Sequence, residues 1–170
     1  MTHLPFLYKC ILLLLAQKKR NIMINFNPDK GSATMKIDHQ LFRLGIPAID
    51  NQHEAYLNLL DDLFALGRDE VINRSKIEEV LNKAFVYAME HFDSEEMLME
   101  AIKYPALEVH RSKHNEFREA VERLTIEGKF LGVTSFLQEV NRWLLQWFND
   151  QIQTHDRALA EYMKKHPTHS

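Results

Sequence analysis

Between residues 91 and 114 the chain spaces four ionisable side chains at helical intervals. His91 and Glu95 are four apart, and so are His110 and His114. On an α-helix such pairs share a face, one turn above the other. Tyr104-Pro105 falls between the pairs, where one helix should stop and the next start. The expected product is a helical hairpin that sets a His/Glu pair against a His/His pair. Imidazole nitrogens together with carboxylate oxygens suit iron, zinc or manganese.

The flanking residues say where these groups point. Ile77, Leu81, Ala84, Ala88, Leu98 and Ile102 recur every three or four positions, and His91 and Glu95 fill the gap in that stripe. Leu107, Phe117, Val121 and Leu124 form the next stripe, with His110 and His114 in its gap. Four ionisable groups thus take core positions, which is costly unless they are partnered. A shared metal would satisfy all four at once.

The periodicity predicts helices over residues 47–67, 75–103, 106–127 and 134–163. Pro47 and Asp50 mark the first start, residues 68–74 are a polar connection, and Gly128 and Gly132 bracket the last turn. His53 lies in the first apolar stripe, with Ile49, Leu57, Leu60 and Phe64. A lone histidine there is usually an ordinary core residue. No proline interrupts these helices and no useful strand-like alternation is read. The expected fold is all-α, an up-down-up-down four-helix bundle over residues 36–165, with residues 1–35 as an N-terminal extension.

That extension reads differently from the rest. The mostly apolar run from Phe6 to Ala16 contains Lys9 and is followed by Lys18-Lys19-Arg20. It is too short to span a bilayer and lacks a small-residue cleavage site. A start placed too far upstream is the preferred reading, with Met23 and Met35 as alternatives. A membrane-surface helix and an unusual anchor are the others. Residues 25–32, with Pro28 and Gly31, read as a linker.

Composition narrows the classes. The net charge of −3 and the lack of a basic patch argue against nucleic-acid binding. A single cysteine, Cys10, excludes an intrachain disulfide and a thiolate-rich zinc site. Of the nine histidines, His3, His39, His166 and His169 lie near termini or in loops, where the reading is solvated histidines.

Five segments taken together resemble the hemerythrin family, in its bacterial single-domain form. They are Gly45-Ile-Pro-Ala-Ile-Asp50-Asn-Gln-His53, His91-Phe-Asp-Ser-Glu95-Glu96, Tyr104-Pro105, His110-x-x-x-His114-x-x-Phe117, and Trp147 through Asp156. The likeness covers roughly residues 41–162. It implies two non-haem irons inside the bundle, bridged by an oxo or hydroxo oxygen and two carboxylates. His53 and His91 match the ligands of one iron, His110 and His114 two of the three on the other. Glu95 and Asp156 match the bridging carboxylates. Dioxygen binds reversibly, in the family, at the iron held by two histidines.

One position departs from the pattern. The family has a histidine five residues before the bridging aspartate, and here that residue is Gln151, with Trp147 and Ile152 in register around it. At roughly 100° per residue, Val140, Leu144, Trp147 and Phe148 define the inward face, with Gln151 near its centre. His155 then points broadly inward and Asp156 to the side, so an inward Asp156 requires a distorted or ending helix. Gln151 binds through its amide oxygen, or leaves an open or water-filled position, or His155 supplies the imidazole from the next turn; the open site is preferred. Glu96, about 100° from Glu95, reads as a solvated carboxylate. Trp143 and Trp147 read as core. Leu57 and Leu98 read as core or as the lining of an oxygen pocket.

The leading functional expectation is a cytoplasmic di-iron protein that binds dioxygen or a similar diatomic for storage, delivery or sensing, with no clear membrane span. A redox enzyme of peroxidase or nitric oxide reductase type on the same fold is the alternative. A ferritin-like site would need glutamate three residues before a histidine, and Asp50, Ala88, Leu107 and Arg111 stand there instead.

Overall fold

The computed structural model describes residues 22–27, 32–67, 69 and 71–167. The expectations placed on the first 21 residues, and on His169, lie outside them. Four long helices follow one another with short connections: α1 (Pro47–Leu66), α2 (Arg74–Ala101), α3 (Leu107–Glu127) and α4 (Val133–Asp150). A π-helical segment, Gln151–Asp156, continues α4 into α5, Arg157–Lys165. Contacts across α1/α2 (Gln52 to Ser94) and α2/α3 (Glu96 to Arg111) run antiparallel. The fold is an up-down-up-down four-helix bundle. No helix among the described residues is long and apolar enough to cross a membrane.

Each boundary has a local cause. Pro47 opens α1, where its missing N–H is not needed. Gly45, at φ 82°, takes the left-handed turn just before it. The buried Asp50 carboxylate closes that turn by accepting from the Leu44 and Gly45 amides, at 2.7 and 3.0 Å. The Asn73 side chain caps α2 by accepting from the Ser75 amide. Between α3 and α4, Arg74 donates to the Gly128 carbonyl at 2.9 Å while its guanidinium lies 4.9 Å from the Phe136 ring.

Two expectations are corrected here. Residues 25–32 read as a linker, of which 28–31 lie outside the described residues. Instead β1 (Ile22–Asn27) pairs antiparallel with β2 (Ser32–Ile37), from Ile22 opposite Ile37 to Asn27 opposite Ser32. Six-residue alternation is a weak signal in one strand, and only the partner strand makes it count. His39 is likewise not a solvated histidine. It sits in a 3-10 turn, His39–Phe42, with its ring between Glu54 at 2.8 Å and Asp61 at 3.3 Å.

The bundle interior divides in two. Away from the α1 start it is apolar, with Leu60, Leu63, Ile77, Leu81, Leu124, Phe136 and Leu137 buried. Toward that start, the first half of α1, the second half of α2 and the first half of α3 meet the π segment. The two buried clusters of histidines and carboxylates lie at this end.

Candidate metal centre

The π segment answers the question that the helical wheel leaves open. A π-helix bonds i to i+5 rather than i to i+4 and is frequent at functional sites. Residues five apart then stack, so Gln151 and Asp156 face the same way. The Gln151 amide donates to Asp156 Oδ1 at 2.9 Å, and Asp156 is fully buried. The same rotation carries His155 outward. It is half-buried, its ring 5.8 Å from that of His110, and it belongs to neither ligand cluster.

Six side chains converge as two adjoining, buried triads. One is His53, His91 and Asp156; the other is Glu95, His110 and His114. Within each, the candidate donor atoms lie within 4.8 Å of one another. The carboxylates link the triads. Asp156 Oδ2 is 3.3 Å from His53 Nε2 and Oδ1 is 3.1 Å from His110 Nε2. Glu95 Oε2 is 3.1 Å from His110 Nε2 and 3.6 Å from both His91 and His114 Nε2.

Three histidines are held by their outer nitrogen. The Nδ1–H of His53 donates to the Phe42 carbonyl, that of His91 to Gln52 Oε1 and that of His114 to Glu96 Oε1, at 3.3, 3.2 and 2.9 Å. Each bond fixes the ring and turns Nε2 inward, the usual arrangement around a metal. Phe92 stacks on His114 with centroids 3.8 Å apart. The expectation of a solvated Glu96 is therefore corrected. Pointing away from Glu95 turns it toward α3, where it also accepts from Arg111 Nε at 2.9 Å. Gln52, Glu96 and the Phe42 carbonyl were missed as ring anchors because each acts across helices or from a loop. Adjacency to His53 and Glu95 was the only available signal.

The electrostatics match a cation. Burial pushes the Glu95 carboxyl up, with Asp156 adding to it, but His91, His110 and His114 outweigh both and hold it below the usual range. Burial also pushes Asp156 up, and the hydrogen bonds of His110 and His53 reverse that, leaving it far below the usual range. Burial lowers His110, but the two carboxylates raise it to about 9. Two ionised carboxylates thus face the His110 imidazolium inside the core. His53 Nε2, His114 Nε2, Asp156 Oδ2 and both Glu95 oxygens are buried without a hydrogen bond of good geometry. Such atoms are costly unpaired. Imidazole and carboxylate donors in two adjacent triads fit two divalent or trivalent metal ions.

Gln151 is buried, with its amide nitrogen 2.7 Å from His110 Nε2. It lines a small cavity of about 10 Å³ together with His53, Tyr56, His91, Phe148 and Asp156. That is on the order of the room one water needs. Leu57 and Leu98 do not line it; Leu57 is core. Trp143 and Trp147 pack half-buried against Phe117.

Comparison with known proteins agrees with this geometry. The family model for the hemerythrin HHE cation-binding domain matches residues 44–165. A bacteriohemerythrin of Stenotrophomonas maltophilia is 29% identical over 123 residues, 72% of this chain and 78% of the relative. One from Clostridium acetobutylicum is 29% identical over 122 residues, 71% of this chain and 95% of the relative. A crystal structure of a leucine-to-phenylalanine mutant shares the fold at a TM-score of 0.58 and 23% identity, covering 68% of this chain and 86% of that one. With the helices, the paired triads and a domain match over most of the bundle in agreement, the chain belongs to the hemerythrin family.

Proposed function

We propose that the chain is a cytoplasmic non-haem di-iron protein that binds dioxygen, or a similar diatomic, for storage, delivery or sensing. His53, His91 and Asp156 would hold one iron, Glu95, His110 and His114 the other, and Glu95 and Asp156 would bridge the two. The observation that carries this reading is the pair of buried triads, five of whose inward atoms, on His53, Glu95, His114 and Asp156, lack hydrogen-bond partners. When bound, the irons supply the electrons that make dioxygen binding reversible. The chain's part is to orient the imidazoles through Phe42, Gln52 and Glu96, to keep both carboxylates ionised, and to exclude bulk water.

A redox role, as a peroxidase or nitric oxide reductase, is the second reading, and one observation favours it. Gln151 stands where the family has a ligand histidine, and it also lines an open cleft of about 570 Å³ with Lys113, Trp143, Trp147 and His155. Water or a polar substrate could approach the Glu95–His110–His114 triad from that side.

The test is iron per chain together with the visible spectrum, first reduced without air and then exposed to it. Two irons and an oxygen-dependent band that reverses when oxygen is removed would support the carrier. Two irons with immediate, irreversible oxidation would favour the redox role. One iron or none would sink the di-iron reading.

A further inference from the structure

Tyr56 is a buried polar group beside the candidate ligands that the ligand set does not use. It lies on α1 three residues, about one turn, beyond His53, and is 4% exposed. Its ring stacks on Phe148, with centroids 4.4 Å apart and planes 12° apart, so it has little freedom to turn its hydroxyl elsewhere. That hydroxyl is buried and meets no hydrogen-bond partner. A phenylalanine would fill the same space without leaving a polar group unpaired, which is costly. Tyr56 is also part of the wall of the 10 Å³ cavity, beside His53 and His91. That volume, about the room of one water, excludes an organic substrate and leaves only a very small ligand.

We propose that Tyr56 is a specificity-determining residue, whose hydroxyl donates a hydrogen bond to a small anionic or electron-rich ligand bound in the cavity between Tyr56, His53, His91 and Phe148. This rests on the metal reading above and deepens it. Of the other wall residues that carry a donor, Tyr87 is 40% exposed and Trp147 is half-buried, so neither is sequestered as the Tyr56 hydroxyl is. Gln52 accepts from His91 and donates to Ser94, and the Gln151 amide donates to Asp156. Phe148, Phe92 and Ile152 are apolar. A buried, unpaired hydroxyl in this wall selects for ligands that carry negative charge at the atom facing it. Azide and a reduced oxygen species are favoured by it, and carbon monoxide gains little.

Tyr56→Phe removes only the hydroxyl. Its iron content should equal that of the wild type, and its metal-free form should melt no lower, because the lost group has no partner in the protein. Azide affinity, followed by visible titration of the iron-loaded protein, should fall about tenfold. In the wild type, the ultraviolet resonance Raman marker of tyrosine hydrogen bonding should change on adding azide. An unchanged azide affinity in a fully loaded Tyr56→Phe, or an unchanged Raman marker, would overturn the proposal. So would a lower melting temperature of the metal-free variant, since the hydroxyl would then have a protein partner. A wild-type chain that takes up no iron would instead overturn the metal reading and this inference with it, and iron content separates the two failures.

Discussion

Replacing Gln151 by histidine tests the proposed metal site at the position where the family resemblance leads one to expect an imidazole. The side chain is 3% exposed and its amide lies 2.7 Å from His110 Nε2 and 2.9 Å from Asp156 Oδ1. An imidazole there would reach a metal held, as proposed, by Glu95, His110 and His114. It also releases Asp156 Oδ1 from the amide. Removing a residue that only orients a ligand lowers metal affinity 10–100-fold, so adding a direct imidazole should raise it by about 100-fold, or roughly 2.7 kcal/mol. The gain should fall on one of the two metals, because His53 and His91 belong to the other triad. Competition against chelators of graded strength would resolve the two affinities. The Gln151→His protein should also lose metal, and oxidise in air, more slowly. An affinity change under about threefold at both sites, in a folded and loaded variant, would refute the placement of Gln151 beside the metal. An equal gain at both would refute the division into triads.

Three further outcomes follow from the geometry. Glu96→Gln keeps the shape but weakens the acceptor for His114 Nδ1, and metal affinity measured by the same competition should fall about 10-fold. In the metal-free protein, His110 is raised to about 9, so its contribution to stability is full below its unfolded value near 6.5 and fades as pH rises through 9. Burial lowers His91, so stability is lost as pH falls below 6.5, and the depressed carboxyls of Glu95 and Asp156 add to the loss in acid. The melting temperature of the metal-free form should therefore peak near pH 6.5, and loading metal at that pH should release the His110 proton, measurable in a pH-stat. Gly128→Ala should cost about 1–3 kcal/mol by denaturant unfolding, since its helical backbone would accept alanine but an added Cβ would collide with the Phe136 ring.

The ligand types were legible in the chain because helical geometry is local. His91/Glu95 and His110/His114 must share faces wherever the helices go, and Pro47, Pro105 and Gly128 bound those helices by backbone chemistry alone. Glu96, His39 and the strand pair were misread for one reason. Each acquires its partner from a distant part of the chain, Arg111 and His114, Glu54 and Asp61, or the facing strand. A position that faces away from one neighbour along the sequence can face another in space.

Residue identity and spacing therefore determined the four helices and the four-residue pairs. Tertiary structure alone decided what those residues do. A regular helix would turn His155 inward and leave Asp156 at the side. The π segment gives up the i to i+4 hydrogen-bond pattern over Gln151–Asp156 and thereby delivers the aspartate, paired with Gln151, to the imidazoles of α1, α2 and α3. No local propensity marks that break. It reflects the stabilisation available when a carboxylate meets three buried histidines, and that depends on where the other helices stand.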